Sequence, residues 1–213
     1  MTKENFTLIT AIVDQSTSMR SLTRSTIDGF NLFVKEQREA PGEANLNLCL
    51  FSSRHTVPVW FKPLNEVADL DESTYHPNGN TALLDAMGTM IDTVGEKLAS
   101  MPEEERPSRV IFLVITDGEE NYSRKYSAEE IKSKVEHQQN VYSWDFVFIG
   151  ANMDAIAAGG SLGVAMQNSV NYEASAAGTG RLYSDISKNM LRYRSVGNSS
   201  QGFFGGNEGS TNE

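Results

Sequence analysis

Apolar and polar positions along the chain follow two alternating patterns, which predict strands and helices in turn. Short apolar runs rich in β-branched residues predict six strands. These runs cover residues 7–13, 46–52, 56–64, 110–115, 144–149 and 167–172. Apolar residues spaced three and four apart, together with a capping-box sequence at Ser127, predict helices between and after them. These helices cover residues 22–39, 84–98, 127–135, 154–158 and 182–196.

The order of these elements predicts an α/β fold. Only Ser53-Arg54-His55 separates the second strand from the third, so these two strands must form an antiparallel hairpin. The other strands alternate with helices, which is typical of a parallel-rich central sheet with helices on both faces. Residues 110–115 are almost wholly apolar and therefore predict a central strand of that sheet. The hairpin is expected at one edge.

Three polar segments lie where such a sheet binds ligands. Asp14-Gln15-Ser16-Thr17-Ser18 directly follows the first strand, Asn78-Gly79-Asn80-Thr81 leads into the second helix, and Thr116-Asp117-Gly118 follows the central strand. Ligands of parallel sheets bind beyond the carboxyl ends of the strands, where the strand order reverses. We therefore expect all three segments in one neighbourhood.

The side chains in these segments point to metal chemistry. Alternate residues of an extended turn face the same way, so Asp14, Ser16 and Ser18 can converge on one ion. With Thr81 and Asp117 they offer two carboxylates and three hydroxyls, which are hard oxygen donors that suit Mg²⁺. Two aspartates facing each other without a cation would repel, so a metal is physically useful there.

The composition argues against several classes of function. The 213 residues carry a formal net charge of −10, which disfavours nucleic-acid binding because that binding depends on Lys and Arg. The single cysteine, Cys49, lies in an apolar run and indicates a buried strand residue in a reducing compartment. No secretory signal is visible, and no apolar run approaches the ~18–20 residues of a membrane span. We therefore expect a cytoplasmic protein that binds no membrane.

The chain is expected to form one domain over residues 1–196. Residues 197–213 are rich in Gly, Ser and Asn, and this composition predicts a disordered tail. Phe203 and Phe204 are two adjacent aromatic residues within it. They are interpreted either as a short docking motif for another protein or as part of an unstructured tail.

The three polar segments, taken in order, resemble the metal-ion-dependent adhesion site of von Willebrand factor type A domains. The resemblance covers roughly residues 7–196, since the strand–helix alternation also matches. It implies a Rossmann-like fold in which Mg²⁺ or Mn²⁺ is held by five residues, Asp14, Ser16, Ser18, Thr81 and Asp117. It also implies that a Glu or Asp carboxylate of a partner protein completes the coordination. Stand-alone intracellular relatives are typical of bacteria and their phages and often act beside AAA+ ATPases.

We therefore expect a divalent-cation-dependent protein-binding module in the cytoplasm of a bacterium or a phage-infected cell. No catalytic residue and no organic cofactor site is predicted. Because cation binding needs ionised Asp14 and Asp117, the affinity is expected to fade as the pH falls toward ~4, the usual range of an aspartate.

Structural and enzymatic interpretations of the same residues stay open. Asp14, Ser16 or Thr81 alone could cap the helix that follows, and Asp117 could belong to an ordinary turn. Asp85, one turn after Thr81, either supports that side chain or is a plain exposed helix residue. The alternative function is a Mg²⁺-dependent hydrolase acting on phosphate esters, although no positioned base is visible near the aspartates.

Overall fold

A computed structural model of the protein describes residues 1–197 and 202–205. Within these residues the strands are β1 (Lys3–Asp14), β2 (Glu43–Phe51), β3 (His55–Pro63), β4 (Pro107–Thr116), β5 (Asp145–Gly150) and β6 (Ser169–Asn171). They form one sheet in the order β3-β2-β1-β4-β5-β6. All neighbouring strands are parallel except β2 and β3, which form an antiparallel edge pair. The predicted sheet is thereby confirmed.

Helices cover both faces of this sheet. The described α-helices are α1 (Thr23–Glu39), α2 (Leu83–Ser100), α3 (Ala128–Tyr142), α4 (Ala155–Ser161) and α5 (Ala176–Val196). Apolar residues of α1 and α5 pack on one face, and those of α2, α3 and α4 pack on the other. None of the helices in the described part of the chain is both long enough and apolar enough to span a bilayer.

The alternation of side chains along β1 explains the two-sided core. Ile9 and Val13 join the apolar cluster under α1 and α5, whereas Leu8 and Ile12 join the cluster under α2 and α3. A strand that is buried on both faces must be apolar throughout, which is why β1 and β4 read as continuous apolar runs. Cys49 on β2 is also buried, and burial raises the pKa of its thiol to about 12. The interpretation of Cys49 as a buried strand residue is confirmed.

Local signals set the helix boundaries. Ser127 Oγ accepts a hydrogen bond from the Glu130 N–H, and Glu130 Oε2 accepts one from the Ser127 N–H at 2.8 Å, which completes the predicted capping box of α3. Asp154 Oδ1 accepts from two backbone N–H groups at the start of α4. A short 3-10 helix, Thr17–Leu22, precedes α1 and carries the first polar segment away from the sheet.

Part of the expected disordered tail packs against the domain. Phe203 is 2% exposed and lies in the apolar cluster that contains Tyr193 of α5. The Phe203 N–H donates to Asn168 Oδ1 at 2.8 Å, and the Arg192 guanidinium donates to the Phe203 carbonyl at 2.5 Å. The expectation of disorder is therefore wrong for residues 202–205, because Phe203 gains apolar burial that the tail's composition conceals. Residues 198–201 and 206–213 of that predicted tail lie outside the described residues.

Candidate metal centre

The topology of the sheet brings Asp14 and Asp117 to the same place. Asp14 is the last residue of β1, and Asp117 directly follows β4, the parallel neighbour of β1. From β1 the chain continues toward β2 on one side, whereas from β4 it continues toward β5 on the other. The two loops therefore diverge and leave a crevice between them, which is where α/β sheets bind ligands.

Two serines connect the two aspartates. The Ser16 N–H donates to Asp14 Oδ1 at 2.6 Å, and Ser16 Oγ lies 3.0 Å from Ser18 Oγ. Ser18 Oγ in turn donates to Asp117 Oδ1 at 2.6 Å. Asp14, Ser16 and Asp117 are buried, whereas Ser18 is exposed. The cluster is thus closed on the side of the sheet and open to solvent at Ser18.

Thr81 lies beside this cluster. A Cβ atom on Gly118 would lie 3.9 Å from Ser18 Oγ and 3.9 Å from Thr81 Oγ1, so one small residue faces both hydroxyls. The loop before Thr81 is anchored by Gly79, whose φ of +80° favours glycine and whose carbonyl accepts from the Thr17 N–H at 3.0 Å. The structure therefore brings all five side chains singled out in the sequence to one edge of the sheet.

Capping does not explain the hydroxyls. Ser16 occupies the N-cap position of the 3-10 helix but its side chain accepts no capping hydrogen bond. The N-cap of α2 is Ala82, not Thr81. For Asp14 the structural interpretation applies in part, because its carboxylate accepts a hydrogen bond from the Ser16 N–H and so shapes the turn that follows β1.

Burial opposes the charge of both carboxylates. It raises the pKa of Asp14 to about 6, against hydrogen bonds from Thr116 and Ser16 that lower it, while repulsion from Asp117 makes the smallest contribution. Burial also raises the pKa of Asp117, and the hydrogen bond from Ser18 opposes this shift. The expected repulsion between the aspartates is present, but desolvation is the larger cost.

Two contacts that hold Asp14 were not assigned from the sequence. Thr116 Oγ1 donates to Asp14 Oδ2 at 2.6 Å and lies 3.0 Å from the Gly118 carbonyl, so one hydroxyl joins both aspartate loops. Tyr75 is fully buried, and its hydroxyl donates to the Asp14 carbonyl at 2.7 Å. The role of Thr116 could have been suspected from the sequence, because Thr116 adjoins Asp117. Nothing in the sequence pointed to Tyr75, which lies 61 residues from Asp14.

The loop that follows Gly118 positions Thr81. Asn121 Oδ1 accepts from the Thr81 N–H at 3.0 Å, and the Asn121 N–H donates to the Thr81 carbonyl at 3.0 Å. Glu120 Oε2 accepts from the Leu84 N–H at 2.9 Å. Asp85 accepts from the backbone N–H groups of Arg124, Lys125 and Tyr126. Asp85 therefore anchors this loop to α2 and is not in hydrogen-bond contact with Thr81.

The donor set fits a small, hard divalent cation. Among the described residues, no three His, Cys, Asp or Glu side chains gather in a way that could hold a metal, so a cation here would be held by two carboxylates and hydroxyl groups. Neither Asp14 nor Asp117 forms an ion pair with a Lys or Arg of the described chain. Two buried carboxylates without a cationic side chain suit an ion such as Mg²⁺, which prefers oxygen ligands.

The fold is that of von Willebrand factor type A domains. A von Willebrand factor type A protein from Catenulispora acidiphila superposes with a TM-score of 0.56 at 14% identity over 89% of this chain and 43% of its own. Proximal thread matrix protein 1 from the mussel byssus, with a zinc-occupied metal-ion-dependent adhesion site, gives a TM-score of 0.58 at 16% identity, over 87% of this chain and 46% of its own.

A third solved structure has the same fold and a different metal. Manganese-loaded TRAP protein of Plasmodium vivax superposes with a TM-score of 0.56 at 15% identity, over 84% of this chain and 72% of its own. The present chain thus spans about half the length of the Catenulispora and mussel proteins, at 43% and 46%. No protein-family model and no curated protein matches the sequence.

Proposed function

We propose that this chain is a divalent-cation-dependent protein-binding module that captures an acidic residue of a partner protein. The cation, Mg²⁺ or Mn²⁺, would be held by Asp14, Ser16, Ser18, Thr81 and Asp117. The observation that carries the proposal is the pair of buried aspartates, whose pKa values are raised and which form no ion pair with a Lys or Arg of the described residues. Such a site gains most from a bound cation, because the cation offsets the desolvation of both charges.

The residues of the site would have separate roles. Asp14 and Asp117 supply two negative charges, which balance those of a divalent ion, and the three hydroxyls add neutral oxygen donors. Thr116 and Tyr75 hold Asp14 in place through its carboxylate and its carbonyl. The bound cation supplies an open coordination position for an outside carboxylate. Ser18 is the exposed member of the cluster, and its side of the site is the approach for that ligand.

The structural relatives support a divalent cation without choosing one. The mussel protein carries zinc at its adhesion site and the Plasmodium protein carries manganese. For the present chain we propose Mg²⁺ or Mn²⁺, because its donors are all oxygen atoms, whereas zinc sites favour His and Cys.

The partner is proposed to be a protein in the cytoplasm of a bacterial or phage-infected cell. An AAA+ ATPase of the chaperone type is one candidate, which the sequence resemblance suggests. Nucleic acid and membrane are not part of the proposal, since the net charge of −10 disfavours binding to polyanions. Catalysis is not part of it either, since the side chains that donate to the two carboxylates, Ser18 and Thr116, are hydroxyls and not a general base.

A pull-down tests the function. Immobilised wild-type protein is incubated with cell extract in Mg²⁺ or in chelator, beside Asp117→Ala and the matched control Asp185→Ala on α5. We expect specific proteins to be retained by wild type and control in Mg²⁺ only, and by Asp117→Ala in neither condition. Equal recovery of every protein with Mg²⁺ and with chelator would contradict the metal bridge. Turnover of phosphate esters that needs both Mg²⁺ and Asp117 would favour the hydrolase instead.

A further inference from the structure

Exposed positive charge is present on the segments around the candidate metal centre, although the chain as a whole carries a charge of −10. Four exposed cationic side chains lie on the segments that flank Thr81. They are Arg20, Arg54, Arg124 and Lys125, and we call them the basic rim. None of the four forms an ion pair with another residue in the described ranges 1–197 and 202–205.

Arg54 lies on one side of the Thr81 loop. It is at the tip of the β2–β3 hairpin, where its carbonyl accepts from the Ser52 N–H at 2.7 Å. The same tip contacts the loop twice. The Asn80 N–H donates to Ser53 Oγ at 2.8 Å, and the Ala82 N–H donates to the Ser52 carbonyl at 2.9 Å. The hairpin tip is therefore fixed directly against residues 80–82.

Arg124 and Lys125 lie on the opposite side of that loop. Their backbone N–H groups donate to Asp85, which is in the first turn of α2, at 3.0 and 2.8 Å. The guanidinium of Arg124 lies 5.1 Å from the ring centre of Tyr122, and the ammonium of Lys125 lies 4.7 Å from that of Tyr126. Contacts with aromatic faces hold both cationic groups near the surface, where Lys125 also interacts electrostatically with Asp92 and Asp85.

The acidic side chains of the same segments keep their negative charge but differ in exposure and in their hydrogen-bond partners. Both oxygens of Asp85 and both oxygens of Glu120 accept backbone N–H groups, so these carboxylates already have partners within the loop. Glu119 is the exposed acidic residue that remains beside Asp117. Asp85 and Glu120 are only half-exposed, so the exposed charge on these segments is positive, with four cations against the one carboxylate of Glu119.

We infer that the basic rim binds further acidic side chains next to the one that reaches the metal, so the partner segment is an acidic peptide with several carboxylates. This inference rests on the proposed function and adds the chemistry of the partner. Four cations flanking a single metal site match a short segment. The net charge of −10 disfavours a nucleic acid, because a long polyanion would be repelled by the acidic remainder of the surface.

Two synthetic peptides of equal length test the inference. One carries a single glutamate among Gly and Ser, and the other carries the same glutamate flanked by further Asp and Glu residues. Both are labelled, and their binding to wild-type protein is measured by fluorescence anisotropy in Mg²⁺ and in chelator. In Mg²⁺ we expect the multiply acidic peptide to bind about tenfold more tightly. High salt should reduce this difference, because it screens exposed charges.

Matched variants separate the basic rim from net charge. The rim variant is Arg54→Gln/Arg124→Gln/Lys125→Gln, which leaves the backbone hydrogen bonds to Asp85 possible. The control variant is Lys35→Gln/Lys132→Gln/Lys188→Gln, which removes the same charge from exposed positions on α1, α3 and α5. We expect the rim variant, which keeps only Arg20 of the rim, to lose most of the difference between the peptides and the control variant to keep most of it.

Each other outcome overturns a defined claim. Equal binding of both peptides by the wild type in Mg²⁺, or an unchanged preference in the rim variant, would overturn the inference and leave the proposed function standing. Equal binding of the multiply acidic peptide in Mg²⁺ and in chelator would instead contradict the metal bridge. No binding of either peptide would overturn the inference, and tighter binding of a single-stranded oligonucleotide would replace the peptide as the class of partner.

Discussion

Asp14 and Asp85 lie at the same edge of the protein, but only Asp85 has its charge satisfied by the chain. Partial burial acts to raise the pKa of Asp85, yet three backbone hydrogen bonds outweigh it and lower that pKa. For Asp14, burial dominates, and the hydrogen bonds from Thr116 and Ser16 leave its pKa raised to about 6. A carboxylate whose hydrogen bonds outweigh its desolvation stabilises a loop, whereas one whose desolvation outweighs its hydrogen bonds is suited to a cation from outside.

The largest expected difference between these two aspartates is in metal affinity. Asp14→Asn should weaken Mg²⁺ binding by at least ~100-fold, because it removes a charged ligand. Asp85→Asn should weaken it by less than ~10-fold, because Asp85 only supports the loop that positions Thr81. Isothermal titration calorimetry on both variants measures this. Similar losses in the two variants would show that Asp14 has no special role.

The same two substitutions should change stability in opposite directions when metal is removed. The raised pKa of Asp14 corresponds to a cost of about 3 kcal/mol at neutral pH. Asp14→Asn should therefore stabilise the metal-free protein by up to that amount, whereas Asp85→Asn should destabilise it by about 1–2 kcal/mol through lost charge-assisted hydrogen bonds. Urea unfolding in chelator gives both values. Destabilisation by Asp14→Asn would contradict the assigned desolvation.

Much of the fold followed from the sequence because its pattern is local and repetitive. Residues 110–115 predicted the central strand, and the short Ser53–His55 interval predicted the antiparallel pair, since each signal lies within one or two elements. The packing of Phe203 could not be predicted in this way. A single anchoring aromatic residue in a Gly-rich segment gives no periodicity, and its burial depends on contacts with Tyr193 of α5 and with Asn168, which lies 35 residues away.

The candidate site likewise has a part that the sequence predicted and a part that depends on contacts between distant residues. The three polar segments could be placed together from topology alone, whereas Tyr75 and Asn121, which hold Asp14 and Thr81, act through contacts between separate loops. The pKa of Asp14 in the folded protein also could not be predicted from the sequence. The pKa of an ordinary aspartate predicts that cation binding is lost near pH ~4. Burial raises the pKa of Asp14 to about 6, so the loss is expected at a higher pH.

A smaller effect concerns pH in the absence of metal. A raised folded-state pKa favours the folded protein below the unfolded value of 3.8, and this stability is lost as the pH rises through about 6. The free energy of unfolding of wild type relative to Asp14→Asn should thus fall by about 2 kcal/mol between about pH 4 and pH 7. Chemical unfolding in chelator at both values measures this. A constant difference would show that Asp14 titrates normally.

The smallest expected effect separates the loop that holds Thr81 from the ligands themselves. Asn121→Ala removes the acceptor of the Thr81 N–H, so Thr81 is held less firmly. We expect Mg²⁺ affinity to fall by about tenfold, which is typical when a group that orients a ligand is lost. Calorimetry on this variant, with Asn31→Ala as a control that breaks a comparable hydrogen bond beside Leu70, checks the effect. Equal losses in both variants would indicate a general effect on folding.

Diffraction from crystals grown with Mn²⁺ tests the central claim most directly, because anomalous scattering locates the ion without assumptions about its ligands. We expect one strong peak within coordination distance of Asp14, Ser16, Ser18, Thr81 and Asp117, and its loss in Asp117→Ala crystals. A map with no peak among these side chains, or with the ion bound elsewhere, would contradict it.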